Sequence, residues 1–294
     1  MRWLNTGFVE GFVAHIGGKT VKSTDRNITE TGTYISVSKD YIQKNIEATN
    51  EIWFSFDMAL KGIYEGYGEI YLGCTNLPHL RCSGNWVAMF KVYDEKNNVL
   101  YNPQISFDFS DGKKHNIELH IKTGDTGRLD VWFDHKLMFS YRSPSAFTNP
   151  ISFIQCGANG GTLSPTLSLS SFILQDTRRI GYEKFVKLNI DPATEQNMPQ
   201  GSTTTYTLSG LSDSSEYSDI TGVCAVLQAT SRDANINTGT FTLEGADVGT
   251  IDVSDSSGRA YEIAHSETNS ITGLPFTRDE IEGKTLSFTV NGAE

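Results

Sequence analysis

The stretch HNIELHIKTGDTGRLDVWFDHKLMF, residues 115–139, decides the fold class of this 294-residue chain. It contains two runs in which apolar and polar residues alternate, a period typical of strands that bury one face. The apolar members of these runs are Ile117, Leu119, Ile121, Leu129, Val131 and Phe133. Turn-forming residues at 124–127 and at Asp134-His135 separate the runs. The stretch therefore predicts a β-meander of three strands.

Similar alternating runs continue in both directions from this meander. Between residues 52 and 174 they recur about every 8–12 residues, a spacing that indicates an all-β sandwich or jelly roll. From residue 185 to residue 290 shorter runs predict seven strands, enough for a small immunoglobulin-like sandwich. Thr277 and Glu280 have capping-box spacing, so we expect one helical turn there, ended by Gly283.

The charge distribution predicts two domains. Lys plus Arg is 24 and Asp plus Glu is 35, a net charge of −11. Residues 1–177 contain 16 basic and 18 acidic side chains, a net of −2, whereas residues 178–294 contain 8 and 17, a net of −9. All four Trp lie in the first part. We therefore predict a jelly-roll domain at 1–177 and an acidic immunoglobulin-like domain at 182–294.

The first domain resembles the concanavalin A-like (laminin-G-like) lectin fold. The resemblance rests on His115–Lys122, Leu129–Leu137 and Ser168–Asp176, which look like that family's strand, its x-V-x-h-D-G-x-L hairpin and its closing strand. His135 stands where the family usually has Gly. The resemblance implies a concanavalin A-like jelly-roll sandwich.

A second resemblance concerns the junction and the end of the chain. SFILQDTRRIG, residues 171–181, resembles a linker of tailed-bacteriophage virion proteins, and LPFTRDEIEG, residues 274–283, is similar to their ending without its Trp and Asn. The resemblance implies a non-enzymatic structural component of a virion, such as a tail-associated, neck or capsid-surface protein. It would be made in the host cytoplasm and form homo-oligomers and contacts with other virion proteins.

The sequence lacks the residue patterns of the common hydrolytic and metal-dependent enzymes. Glycoside hydrolysis needs two carboxylates about 5–9 Å apart, but the pairs Glu65/Glu69 and Asp130/Asp134 are four residues apart, roughly 13 Å along a strand. The sequence has no G-x-S-x-G elbow, and its six His form no H-x-H or H-x-x-x-H pair. We therefore expect no enzyme, no catalytic or metal-binding residues and no cofactor.

Sugar binding is the alternative function, in a protein that recognises a host-surface glycan. The segment 63–71 and residue 86 supply aromatic side chains that favour an exposed sugar-contact patch or, alternatively, packing in the sandwich or in a subunit interface. The candidate contact residues are Tyr64, Tyr67, Tyr71 and Trp86. Asp94, Glu95, Asn97 and Asn98 could offer oxygens to calcium, but their composition is more typical of a hairpin turn.

Composition disfavours two classes of partner. A chain this acidic is a poor ligand for a phosphate backbone, and no run approaches 18 apolar residues, so we expect neither nucleic acid nor a membrane as partner. The start of the sequence has no apolar run typical of a signal peptide. The four Cys predict reduced thiols, with a Cys74–Cys82 disulfide as the less favoured alternative.

Overall fold

The computed structural model describes residues 2–5, 13–16, 19–21, 28–30, 35–38, 41–61, 68–73, 77–83, 87–109, 111–160, 166–176, 186–191, 197–211, 219–230, 236–252 and 259–292. Within these ranges the chain forms 24 strands and one short 3-10 helix. Contacts divide it into two compact units, Met1–Tyr182 and Glu183–Glu294. Each unit is described by itself.

The first unit is built from seventeen described strands. They are β1 (Arg2–Asn5), β2 (Val13–Ile16), β3 (Lys19–Val21), β4 (Ile28–Glu30), β5 (Ile35–Ser38), β6 (Tyr41–Thr49), β7 (Glu51–Lys61), β8 (Gly68–Gly73), β9 (His79–Ser83), β10 (Val87–Tyr93), β11 (Val99–Tyr101), β12 (Ser106–Asp108), β13 (His115–Lys122), β14 (Arg128–Phe133), β15 (Lys136–Arg142), β16 (Ile151–Gly160) and β17 (Thr166–Gln175).

These strands form two sheets packed face to face. The first sheet has the order β15-β14-β13-β7-β17-β5-β4, with β1 beside β17, and the second has the order β11-β10-β9-β8-β16-β6-β2-β3, with β12 beside β10. One buried apolar cluster joins them: Phe54 and Leu119 come from the first sheet, and Leu80, Phe90 and Cys156 from the second. Because the strands alternate, the residues on either side of these core positions lie on the outer faces.

The predicted meander is confirmed. Strand β13 pairs with β14, with Ile117 opposite Phe133, and β14 pairs in turn with β15. Asp134 and His135 have φ angles of 46° and 65°. Two successive residues at positive φ give the backbone twist that a two-residue hairpin loop requires, so the turn forms although His135 replaces the usual Gly.

The second unit contains seven described strands. They are β18 (Asn189–Asp191), β19 (Thr203–Ser209), β20 (Val223–Thr230), β21 (Ile236–Leu243), β22 (Ala246–Asp252), β23 (Arg259–Ser266) and β24 (Thr285–Gly292). One sheet has the order β18-β19-β24-β21-β22, and β20 pairs with β23. Phe241, Val248, Ala264 and Phe288 belong to one buried cluster that includes residues of both sheets.

The predicted helical turn of this unit is also confirmed. A 3-10 helix spans Arg278–Glu280. The Glu280 Oε2 atom accepts hydrogen bonds from the Thr277 backbone nitrogen and from its hydroxyl, both at 2.8 Å. Gly283 follows with a φ of 70°, a conformation that ends helices and that glycine adopts without strain.

Candidate active site on the second sheet

Most of the predicted sugar-contact residues lie outside the described part of the chain. Tyr64, Tyr67 and Trp86 fall in the segments 62–67 and 84–86. Tyr71 lies on β8, where its backbone pairs with Arg81 of β9 and with Gly157 of β16. The structure therefore connects one predicted position to the outer face of the second sheet, and the residues around it define the candidate site.

Alternation in β9 and β10 brings three polar side chains to this outer face. Leu80, Phe90 and Val92 point into the core, so their neighbours His79, Arg81 and Tyr93 lie on the other side of the sheet. The register pairs Tyr93 with His79. The Arg81 guanidinium carbon lies 5.4 Å from the centre of the Tyr93 ring. The His79 and Tyr93 rings are stacked at 6.1 Å with 19° between their planes.

A row of amides lies on the same face. Cys156 and Ile42 are core residues and are paired across β16 and β6, so Gln155 and Gln43 face outward beside each other. Gln155 Nε2 donates to Gln43 Oε1 at 2.7 Å, and Gln43 Nε2 donates to Asn45 Oδ1 at 2.7 Å. Gln155 is only 8% exposed. The three side chains thus form a directed chain of hydrogen bonds.

Gly73 of β8 separates Gln155 from strand β9. Gly73 pairs with Gln155, whereas Tyr71 of the same strand stands between Gly157 and Arg81. A glycine within a strand leaves no side chain above the backbone and is typical of places where a ligand approaches closely. The outer face therefore has one position without a side chain beside Gln155.

His79 is held in its neutral form. It is 3% exposed, and burial, assisted by the positive charge of Arg81, lowers its pKa from 6.5 to about 4. A hydrogen bond with the Leu77 backbone and the charge of Asp94 oppose this shift without cancelling it. At neutral pH the imidazole is therefore uncharged, and its Nε2 atom is buried.

The residues Gln43, His79, Arg81, Tyr93 and Gln155 form the polar cluster of the second sheet. Their side chains supply one cation, one phenol, one neutral imidazole and two amides. None of these five side chains is a carboxylate, and Lys91, which pairs with Arg81, adds a second cation. This set favours binding of an anion and proton transfer over hydrolysis by a carboxylate pair.

A second polar cluster lies on the outer face of the first sheet and has the character of a structural network. His120 is fully buried, with its two ring nitrogens 2.8 Å from Glu51 Oε1 and 3.0 Å from Asp130 Oδ2. Trp53 stacks on the imidazole with the centroids 3.9 Å apart. Arg128 contacts Asp130 at 3.0 Å. Each titratable group is thus paired with another, although Asp130 Oδ1 is buried without a hydrogen-bond partner.

The pKa values of the two carboxylates fit this interpretation. A hydrogen bond from Lys122 lowers the pKa of Glu51, helped by His120 and opposed by burial. Burial would raise the pKa of Asp130, but hydrogen bonds from His120 and Ser140 outweigh it and the pKa is lowered. Both groups are therefore ionised near neutrality and hold the outer face together.

Asp134 and Asp94, two further carboxylates singled out in the sequence, make hydrogen bonds that stabilise turns. Asp134 accepts a hydrogen bond from the Asn116 backbone at 2.9 Å and lies 2.7 Å from His115 Nδ1. Among the described residues, Asp134 and Asp130 have no hydrogen-bond partner in common. Glu65 of the other pair lies outside the described residues. Asp94 accepts from the Lys96 and Asn98 backbones at 2.9 and 2.7 Å, which confirms the hairpin-turn interpretation of residues 94–98.

A metal-binding cluster and a membrane-spanning helix are both absent from the described residues. There, no three His, Cys, Asp or Glu side chains are grouped so as to hold a metal ion. No helix in the same ranges has the length and apolarity that a membrane crossing requires. Cys156 and Cys224 form no disulfide bond with another described residue, whereas nothing is described of the side chains of Cys74 and Cys82.

Sequence reasoning missed the polar cluster of the second sheet because its residues are distant along the chain. Gln43 and Gln155 are 112 positions apart, and only the strand register places them side by side. One signal was available: His79-Leu80-Arg81 is an apolar residue between two polar ones in a predicted strand region, a pattern of one buried and one outer face.

No protein-family model and no curated protein matches the chain. Among solved structures it is similar to an endo-β-1,4-glucuronan lyase from the fungus Trichoderma reesei, with 14% identity over 60% of this chain and 95% of that one, at a TM-score of 0.42. It is similar to a Bacillus licheniformis β-glucanase, with 8% identity, 60% and 98% coverage and a TM-score of 0.43. A sialidase matches with 14% identity, 51% coverage and a TM-score of 0.40, and this chain spans only 16% of it.

These likenesses concern the fold, and at that level the prediction is confirmed: the chain is all-β, with a concanavalin A-like jelly-roll sandwich. The predicted roles are wrong. Lyases, a glucanase and a sialidase are among the similar structures, which corrects both the non-enzymatic virion role with its glycan-binding alternative and the prediction that the chain is not an enzyme.

The physical reason for these errors is that one sandwich supports lectins, scaffolds and enzymes alike. The stretch behind the phage resemblance ends β17, whose residues to Gln175 pair with β7 as an ordinary central strand. Paired carboxylates, a nucleophile elbow and metal ligands are signs of hydrolysis. Elimination needs none of them, so their absence from the sequence does not exclude an enzyme.

Proposed function

We propose that the first unit binds a uronic-acid-containing polysaccharide across the outer face formed by Gln43, His79, Arg81, Tyr93 and Gln155, called the lyase face from here on, and cleaves it by β-elimination. The observation that carries the proposal is the contact of Tyr93 with both Arg81 and neutral His79 on the outer face of the second sheet. Each of the three side chains matches one requirement of the reaction.

The first requirement is neutralisation of the sugar carboxylate. A uronate must lose the proton on C5, and the negative charge that develops there spreads onto the adjacent carboxylate. Arg81 is a partly exposed guanidinium on this face, and its planar array of donors fits a carboxylate in two-point geometry. Its cation–π position over Tyr93 restricts where the guanidinium can lie.

The second requirement is a pair of groups that move protons. His79 is neutral near pH 7 and accepts the C5 proton. The electron pair of the C5–H bond forms a C4=C5 double bond as the C4–O4 bond breaks. The Tyr93 hydroxyl gives its proton to the departing O4. The balance is complete with one proton taken and one returned, and no water is consumed.

Hydrolysis is disfavoured by the same residues. It requires one carboxyl group as acid and another as base or nucleophile, and the five side chains of the lyase face contain neither. The carboxylates of the first sheet, Glu51 and Asp130, are held by Lys122, His120 and Arg128. Elimination therefore fits the available chemistry better.

The predicted sugar-contact segment 63–71 is consistent with this location. It leads into β8, where the Tyr71 backbone pairs with Arg81 and Gly73 pairs with Gln155. We include Tyr71 as a contact residue of the same polysaccharide. For the second unit we infer an immunoglobulin-like module, supported by seven described strands arranged as a five-stranded and a two-stranded sheet.

Affinity electrophoresis tests the binding part of the proposal. The full chain is run through gels that contain a polyuronate or the same polymer with its carboxyl groups reduced to alcohols. We expect the polyuronate alone to retard the protein, and retardation to vanish in an Arg81→Leu variant. Equal retardation by both polymers would show that the carboxylate is not the recognised group.

A further inference from the structure

Two cations lie directly opposite each other on the outer face of the second sheet. Strands β9 and β10 are antiparallel, and their register pairs Arg81 with Lys91. Their chain neighbours Leu80, Phe90 and Val92 are buried in the core, so both cationic side chains leave the sheet on the other face. Directly opposed residues have Cβ atoms about 4.5–5.5 Å apart. Arg81 and Lys91 therefore form a cross-strand pair of like charge.

No described acid neutralises the Lys91 member of this pair. Within the described ranges, no group forms an ion pair, a side-chain hydrogen bond or a ring contact with Lys91. Asp94, the next acid along the chain, accepts instead from the backbones of Lys96 and Asn98. Like charges directly opposite each other destabilise a sheet. A bound anion would remove this repulsion, so the pair favours a negatively charged ligand.

The two cations differ in how their side chains are held. The Arg81 guanidinium carbon lies 5.4 Å from the centre of the Tyr93 ring, and Tyr93 is two residues beyond Lys91 on β10, opposite His79. Arg81 therefore leans along the strand toward the groups to which we assign proton transfer. Lys91 is partly exposed, and its flexible four-carbon stem lets the ammonium reach a second anion.

Lys91 lies one strand closer to the border of the sheet than Arg81 does. On the side away from β9, strand β10 pairs with β12 through Val87–Met89 and with β11 through Val92 and Tyr93. A polymer that crosses the strands from Arg81 to Lys91 advances by one strand spacing, about 4.7–4.9 Å. This spacing is close to the length of one sugar residue in an extended polysaccharide. Adjacent sugars of one chain can therefore reach the two cations in turn.

We propose that Lys91 binds the carboxylate of the uronate next to the one held by Arg81, which makes the site selective for runs of consecutive uronates. A polymer in which each uronate alternates with a neutral sugar offers no second carboxylate to Lys91. The inference rests on the proposed function, because it names the substrate class of the same site. Lys91 acts in binding alone, since proton transfer is assigned to His79 and Tyr93.

The contribution of Lys91 is one of affinity. An ammonium attracts a carboxylate as a point charge, and a single contact of this kind near the surface changes affinity by up to about 5-fold. The contact is equally present before and during bond cleavage, so its loss raises KM and leaves kcat unchanged. We therefore expect the wild type to prefer consecutive uronates by about 5-fold in kcat/KM, through KM.

The test compares two polymers of the same uronate, one with consecutive uronates and one in which the uronate alternates with a neutral sugar. Affinity electrophoresis gives dissociation constants and initial rates give kcat and KM, for the wild type, Lys91→Leu and Lys91→Arg. We expect Lys91→Leu to lose the preference through a higher KM on consecutive uronates alone, and Lys91→Arg to retain it with its charge. Lys113→Leu is the matched control, because it removes an exposed positive charge that precedes β13 of the first sheet.

The outcomes separate this inference from the function on which it rests. Equal binding and cleavage of both polymers by the wild type would overturn the inference and leave the proposed function standing. An unchanged preference in Lys91→Leu, or equal losses on both polymers, would do the same, because either result removes the second carboxylate from Lys91. Failure to bind either polymer would overturn both. Should Lys91→Leu not fold, Lys91→Gln takes its place and is expected to lose the preference.

Discussion

The guanidinium carbon of Arg81 lies 5.4 Å from the centre of the Tyr93 ring, so the cation and the phenol of the outer face are in contact. Cation–π pairing at a partly exposed site contributes about 0.5–1 kcal/mol, enough to favour one side-chain position without fixing it. In the proposed reaction this arrangement brings the carboxylate-binding group next to the proton donor.

The first prediction concerns the specific role of Arg81. We expect Arg81→Leu to lower kcat/KM on a polyuronate by about 100-fold, because a charged hydrogen bond to the substrate carboxylate is lost. Lys113→Leu is the control, since Lys113 is an exposed cation that precedes β13 of the first sheet and is not part of the proposed site. Initial rates on the polymer provide the measurement, and comparable losses in the two variants would contradict a specific role for Arg81.

The second prediction concerns the chemical role of His79. His79→Gln keeps a polar side chain but removes the proton acceptor, so we expect cleavage to fall by about 100-fold or more while polymer binding changes little. Affinity electrophoresis and initial rates on the same preparation measure both. A parallel loss of binding and cleavage would mean that His79 supports the site's shape rather than proton transfer.

The third prediction concerns how the free energy of unfolding changes with pH in the wild type and in His79→Gln. The pKa of His79 is lowered to about 4 in the folded protein, below its unfolded value near 6.5. The unfolded chain therefore binds more protons, and the stabilisation is present above about pH 6.5 and is lost as the pH falls toward 4. The change amounts to about 3 kcal/mol at most.

Urea unfolding of wild type and His79→Gln at several pH values measures this effect. We expect the wild type to lose stability between about pH 6.5 and 4 more steeply than the variant. Parallel curves would show that His79 titrates normally in the folded state.

The fourth prediction has the opposite sign and concerns His115. Burial opposes protonation, but hydrogen bonds with Asp134 and Asp111 outweigh it and raise the pKa above 6.5. The charged form is therefore stabilised by folding, fully so below about pH 6.5, and this contribution disappears as the pH rises through the folded pKa. His115→Gln should be less stable than wild type near pH 6, with the difference shrinking at alkaline pH. A difference that grows with pH would reverse the assignment.

The fifth prediction tests whether the His120 network is structural. Replacing His120 with Leu leaves the buried Asp130 carboxylate with fewer partners, and breaking a buried charged network costs about 3 kcal/mol. We expect a lower urea midpoint and an unchanged kcat/KM in the fraction that stays folded. Lost activity in a stably folded variant would move the active site to the first sheet.

The sequence indicated the fold through features that depend on near neighbours. The alternation at 115–133, the turn at Asp134-His135 and the capping box at Thr277 are all encoded within a few residues, so local chemistry determines them. The lyase face is different, because strand register and not local pattern brings Gln43 and Gln155 together. Aromatic composition led instead to the segment 63–71, which reaches this face only through the pairing of Tyr71 with Arg81.

The chemical character of the products tests the central claim most directly. Elimination leaves a C4=C5 double bond conjugated with the carboxylate at each new non-reducing end, which absorbs in the ultraviolet, whereas hydrolysis leaves saturated ends. Incubation of the full chain with a polyuronate should produce rising ultraviolet absorbance together with shortened chains, and Arg81→Leu should nearly abolish both. Shortened chains with saturated ends, or an unshortened polymer, would contradict the account.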